Sequence, residues 1–199
     1  CIGFEIVLNK DNLVTIKNLS TIKEDQYDTL LRRTWLTILE MGSELEKAKD
    51  ANDYDSIVIS DMTINRFTDF CRRVLNTGSY ISKTPLPDYV IIETVEKVGD
   101  QYVDLAQVLK DAKKSKEITD ALKELNKLTR IFYALVYHFS HQDLRIFADR
   151  QWAFHLKCDA LMKKMNKEQS QAIMMMQSIA KTWFNLNGVL ISRDAILKE

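Results

Sequence analysis

The stretch Glu93-Thr-Val-Glu96-Lys-Val-Gly-Asp100-Gln-Tyr-Val-Asp104 places four acids three or four residues apart in a segment whose apolar residues follow another phase. At about 100° per residue, Glu93, Glu96, Asp100 and Asp104 stack along one stripe of a helix. Val95, Val98, Tyr102, Leu105 and Leu109 gather on the opposite side. The spacing therefore predicts a helix with an apolar inner face and an outward acidic ridge. Like charges one turn apart repel by roughly 0.2–0.5 kcal/mol per pair, which Lys97, four residues after Glu93, offsets only in part. Such a ridge is either an ordinary solvated face or a place that attracts a cation.

The apolar phase of this helix returns later in the chain. Val95 through Leu109 can be laid without gaps on Met176 through Leu190, an offset of 81 residues. Val98 meets Ile179, Gly99 meets Ala180, Tyr102 meets Trp183, Leu105 meets Leu186, and Val108-Leu109 meets Val189-Leu190. The polar pattern does not repeat, since Glu96 becomes Gln177 and Asp100 becomes Lys181. A period this long suggests a duplicated bundle rather than a solenoid. Any acidic site then belongs to one half only.

Working outward, the other segments fit that plan. Phe4 to Leu8 and Leu13 to Lys17 are β-rich runs separated by Asn9-Lys-Asp-Asn12, which reads as a hairpin. Thr21-x-x-Glu24 resembles a capping box and opens a helix to about Lys49, with Tyr27, Leu30, Leu31, Ile38, Leu45 and Ala48 inside and Gly42 as a point of interruption. A second helix runs from about Tyr54 to Leu75 on an inner stripe of Ile57, Ile64, Phe67, Cys71 and Leu75, and Asn76-Thr-Gly78 ends it. The loop from Ser79 to Pro87 carries both prolines and precedes the acidic helix, 88–112. Three further helical patterns cover 118–139, 143–165 and 167–190. The expected fold is all-α: two tandem three-helix-bundle repeats, 20–112 and 113–199, preceded by a short β-hairpin in 1–19.

Composition narrows the function classes. The chain has 199 residues, 28 basic and 28 acidic side chains and 46% apolar content, which suits a globular protein with a buried core. Only 5 Gly and 2 Pro leave few tight turns, so long helices follow. Formal neutrality and the lack of a strong basic patch argue against direct nucleic-acid binding by these residues. Arg32-Arg33 and Arg72-Arg73 read as pairs on solvated faces. No apolar run reaches the ~18 residues that span a bilayer, and no signal peptide is evident, so a cytoplasmic location is expected. Cys1, Cys71 and Cys158 match neither a disulfide framework nor a zinc site, and the last two read as core residues. An opening Cys suggests that chain precedes it.

Few residues offer chemistry. Carboxylates at i and i+4 can share a hard or borderline cation, and Glu96 with Asp100 has that spacing. Asp61 and Asn65 repeat it on the second helix, which an antiparallel bundle can place beside the third; alternatively, they simply rim the core. His138-x-x-His141-x-Asp143 falls between two helices and reads as capping. His155 with Asp159 is a weak pair, and Met162, Met165 and Met174-Met-Met176 read as apolar filling. No glycine-rich nucleophile elbow, phosphate-cradling loop or Glu-x-x-His pair occurs, so a non-enzymatic protein is expected.

Val95-Glu-Lys-Val-Gly-Asp100 resembles the Glu-Arg-Ile-Gly-Asp signature of the PhoU-type phosphate uptake regulators, whose fold is likewise a pair of three-helix repeats. The family's second-helix motif falls at Asp61-Met-Thr-Ile-Asn65, with Asn in place of the final Asp, and the second repeat departs further. Ile2-Gly-Phe-Glu-Ile-Val, Tyr27-Asp-Thr-Leu-Leu-Arg-Arg33 and Cys71-Arg-Arg-Val-Leu-Asn76 are similar to archaeal members, which commonly carry an AbrB-type DNA-binding segment ahead of the helices. The resemblance implies regulation of phosphate uptake through a phosphate transporter's ATPase, a sensor kinase, or transcription by such a DNA-binding segment. It also implies metal at the surface acid motifs, with iron, zinc or magnesium held by Glu96, Asp100, Asp61 and Asn65. A homodimer is an assembly open to such a module. The competing expectation is a structural or oligomerising helical domain of a transcription regulator with no metal site.

Overall fold

The computed structural model describes residues 4–10, 13–18, 24–49, 51–112 and 114–199. The capping box at Thr21, the first helix's start, the turn residues 11 and 12, and Cys1 lie outside them. Strands β1, Phe4–Lys10, and β2, Leu13–Asn18, form an antiparallel two-stranded sheet that pairs Ile6 with Ile16 and Lys10 with Leu13, with an irregularity between Ile6 and Leu8. Among the described residues, the regular structure beyond the hairpin is all helical.

Seven α-helices follow among the described residues: α1 Glu24–Lys47, α2 Asp55–Asn76, α3 Pro85–Asp111, α4 Lys116–Tyr137, α5 His141–Met162, α6 Lys167–Asn185 and α7 Asn187–Leu197. A single 3-10 turn, Ala51–Tyr54, leads into α2. The capping residues explain the boundaries. Ser115, Ser140 and Asn166 accept a backbone N–H of the first turn of α4, α5 and α6, supplying acceptors for otherwise unpaired donors. At the end of α2, Ser79 N–H donates to the Val74 carbonyl at 3.2 Å and Gly78 N–H to Leu75 at 3.3 Å. Gly78 takes φ +68°, which glycine adopts without a Cβ clash, so Asn76-Thr-Gly78 stops the helix as expected.

Helices α1, α2 and α3 pack on one another, as do α4, α5 and α6. Contacts of α3 with α6 and of α1 with α4 join the two groups, and α7 lies on α3. One hydrophobic core is continuous across all of them. The apolar stripe of α3, Val95, Val98, Tyr102, Leu105 and Leu109, is buried, and so are Ile179, Ala180, Trp183, Leu186 and Leu190 at the offset positions. Tyr102 and Trp183, paired by that offset, converge on one hydroxyl. The Trp183 indole N–H donates to Thr129 Oγ1 at 3.2 Å, and the Tyr102 hydroxyl lies 3.5 Å from the same atom. Trp183 also packs its ring 5.1 Å from Trp35 and 5.4 Å from Phe132.

Several sequence expectations are corrected. Helix α1 runs through Gly42 without a break, because Asn126 of α4 crosses there and donates to the Gly42 carbonyl at 2.8 Å. A Cβ at 42 would overlap the Asn126 amide oxygen, so the glycine serves close approach rather than a kink. Pro85 and Pro87 belong to the first turn of α3, where missing N–H groups cost nothing, rather than to the preceding loop. The inner stripe of α2 is rotated toward Phe70, Val74 and Thr68, leaving Phe67 only partly buried. The expected last helix is two, since the chain turns at Leu186. Met176 is core, but Met174 is exposed.

The connection between the groups is fastened to α1. Lys114 directs its ammonium at the carbonyls of Leu45 at 2.7 Å, Glu46 at 2.7 Å and Ala48 at 2.9 Å. These carbonyls at the end of α1 lack later helical donors, and the cation also meets the negative end of the helix dipole.

Candidate functional site: the acidic crossing of α2 and α3

The two acid motifs meet where α2 crosses α3. Gly99 is the contact point, since a Cβ there would lie 2.8 Å from Asp61 Oδ1 and 3.3 Å from Ile64 Cδ1. The glycine of the Glu-x-x-Gly-Asp stretch thus has a local reason: it admits the Asp61 carboxylate against the α3 backbone. Asn65 donates its amide to Asp61 Oδ2 at 3.1 Å. Asp61 Oδ1 and Asn65 Oδ1 are both buried and accept no hydrogen bond from the described residues.

Glu96 is directed differently. Arg72 of α2 reaches across, its Nη1 lying 3.0 Å from Glu96 Oε2 and 2.5 Å from Glu93 Oε1, while Nη2 pairs with Asp69 at 2.7 Å. Its side chain is only 18% exposed, so the expectation of a solvated Arg72 is overturned. Burial pulls its pKa down, but the hydrogen bonds it donates to Glu93, Asp69 and Glu96 outweigh that, and the guanidinium is held charged more firmly than usual. The protein supplies its own cation to the first half of the ridge. Sequence reasoning missed it, although an antiparallel neighbour with Asp69-x-x-Arg72 was the available signal.

Among the described residues, the second half of the ridge has no such partner. Burial and then the nearby Asp100 and Glu96 push the Asp61 carboxyl above the ordinary range, against the lowering effect of Asn65. Burial, Glu96 and Asp104 likewise raise Asp100. A carboxyl raised in the folded state favours folding while protonated and loses that contribution as pH rises through its folded pKa. At neutral pH both therefore oppose folding. Asp61→Asn should accordingly raise stability at pH 7 by about 0.5 kcal/mol, solvent screening keeping the gain small at this partly exposed site. Urea melts should show the gain fade as pH falls toward 3.8, the ordinary aspartate value.

For a bound cation the four expected ligands divide. Asp61, Asn65 and Asp100 offer hard oxygen donors, two of them buried and unpartnered, in a locally anionic corner; that fits an oxygen-seeking ion. Glu96 is tied to Arg72. Among the described residues, no three His, Cys, Asp or Glu side chains converge as a metal-holding group.

In the offset region, Gln177 donates to Asp159 Oδ1 at 2.8 Å and to the His155 carbonyl at 3.2 Å, and His155 Nε2 lies 3.7 Å from Asp159. This is a closed polar knot where α2 and α3 have acids. His138 caps the end of α4, and Ser140 accepts from Asp143 N–H at 3.0 Å, so that segment serves as capping. Cys71 and Cys158 are fully buried, and burial lifts both thiols to about 12, leaving them protonated at neutral pH. No helix among the described residues is long and apolar enough to cross a membrane.

A scan against protein-family models finds no match. A search of curated proteins finds none either.

Proposed function

We propose that this chain is a non-enzymatic regulator of phosphate uptake, acting through contacts of its helical surfaces with other proteins or through transcriptional control. The observation that carries the reading is the α2–α3 crossing, where Asp61-x-x-x-Asn65 and Glu96-x-x-Gly-Asp100 lie side by side with Gly99 at the contact. That juxtaposition supports the resemblance to the PhoU-type regulators on geometry rather than on spacing alone. The partners that fit are a phosphate transporter's ATPase, a sensor kinase or a DNA-binding segment of the same chain, in the cytoplasm. In this reading Asp61, Asn65 and Asp100 hold a cation, iron, zinc or magnesium, with Glu96 close by on Arg72. The ion would supply positive charge to carboxylates that otherwise repel one another.

A second reading is favoured by Arg72: with Glu93 and Glu96 already neutralised, the ridge is a stabilising surface of a structural or oligomerising domain. Elemental analysis and thermal melts separate the two, on the wild type and on Glu96→Gln/Asp100→Asn, with and without iron, zinc or magnesium. The first reading expects stoichiometric metal and an upward melt shift that the double variant abolishes, worth about 2.7 kcal/mol at a hundredfold excess over Kd. Absent metal and an unmoved melt would leave the second. Co-elution with a purified transporter ATPase or sensor kinase tests the regulatory role itself, and a chain that elutes alone from both would count against it.

A further inference from the structure

We propose that the outer face of α5 is a self-association surface, on which a second copy of this chain lays its own α5 antiparallel, Trp152 against Trp152. Helix α5 packs on α4 and α6 and buries Leu144, Phe147, Phe154 and Cys158. A helix buried along one side ordinarily turns polar residues to the other. Here the other side carries Trp152 at 60% exposure and Leu156 at 51%, with Ala148 one turn before them and Ala160 one turn after. These four recur at i+4 and form one apolar stripe. Phe184 of α6 lines the same groove as Trp152 and Ala148, so the stripe continues onto the neighbouring helix. Contiguous exposed apolar groups with an aromatic anchor mark association surfaces, whereas single ones do not.

Trp152 is ordered before any partner arrives. Its indole lies on the His155 imidazole at 5.5 Å and 17°, and His155 is fixed by its Nε2 facing Asp159 and its carbonyl accepting from Gln177. A ring already held in place loses little freedom on being covered.

Charge identifies the occupant. Arg145 and Asp159 stand seven residues before and after Trp152, two turns away along α5 and within about 20° of its direction. Arg145 is exposed and has no ion pair among the described residues. Asp159 is positioned by Gln177 at 2.8 Å and is still 46% exposed. Turning α5 end for end about Trp152 lays Arg145 of each copy over Asp159 of the other, and Ala148 over Leu156. A parallel pairing instead sets Arg145 on Arg145 and Asp159 on Asp159. An antiparallel pairing centred on residue 154 sets Arg145 on Lys163 and Asp149 on Asp159, again like on like. Of these registers, only the one centred on Trp152 brings opposite charges together, and a single two-fold axis makes both matches at once, as an isologous interface requires. The surface belongs to the second helix group and needs neither the acidic crossing of α2 and α3 nor a bound metal.

Sedimentation equilibrium of the full chain, at concentrations up to about 0.5 mM so that weak association registers, tests the proposal. The wild type should form a concentration-dependent dimer, and Trp152→Ala should weaken it at least tenfold. Arg145→Asp and Asp159→Arg should each weaken it at least tenfold alone, since each sets like charges together at two places in its own dimer. Mixed in equal amounts they should recover the dimer, because one copy of each restores opposite charge at both places. Circular dichroism verifies that the variants fold. Should Asp159→Arg fail to fold, Arg145→Asp against Arg145→Lys carries the test, with the charge reversal weakening the dimer and the lysine retaining it. A wild type that stays monomeric throughout overturns the proposal. So does a dimer that Trp152→Ala leaves unchanged, a mixture of folded variants that recovers nothing, or equal affinity in Arg145→Asp and Arg145→Lys.

Discussion

Trp183→Ala is expected to cost about 4 kcal/mol of folding stability, near the middle of the range for removing a large aromatic from a closed core. The ring is fully buried and stands where α1, α4 and α6 meet. It loses contact with Trp35 and Phe132 together, and aromatic pairs contribute about 0.5–1.5 kcal/mol each beyond the area they bury. Thr129 then keeps its own bond to the Leu125 carbonyl at 3.1 Å but loses the indole donor. Trp183→Phe separates the two contributions: it keeps most of the packing and should cost about 1–2 kcal/mol. Equilibrium urea unfolding reads both, and an alanine variant less than 1 kcal/mol below wild type would contradict the placement of this ring.

Arg193→Met comes next, at about 3 kcal/mol. Asp88 is buried at the start of α3, where its Oδ2 accepts from Ser82 at 2.5 Å and Thr84 at 3.1 Å while Oδ1 accepts from Arg193 Nε at 2.9 Å. Arg193 also donates Nη1 to the Val136 carbonyl at 2.7 Å, tying α7 to both α3 and the end of α4. Taking away one partner of a buried pair leaves a charge that solvent cannot reach, which costs more than the pair itself contributes. The double variant Asp88→Asn/Arg193→Met should therefore regain part of the loss. A double-mutant cycle on thermal melts measures the coupling, and strictly additive losses would mean that the two residues do not act on each other.

The helices were legible because their apolar residues recur at helical spacing and their ends carry Ser, Asn or Gly. The α6–α7 turn was not, because Leu186 and Leu190 keep the apolar phase across the break. Gly42 looked like an interruption, since nothing near it in sequence reveals Asn126, which lies 84 residues away. At the site, the outward setting of Glu96 and Asp100 followed from phase alone. Arg72 did not, for its partners Glu93 and Glu96 lie 21 and 24 residues on.

Lys114 has a consequence for motion. A loop joining two groups of helices is often where they swing, but here its ammonium is pinned to three carbonyls at the end of α1. The crossover is a strap rather than a hinge. With α1 packed on α4 and α3 on α6 around one continuous core, a swing of one group against the other would have to open those faces as well.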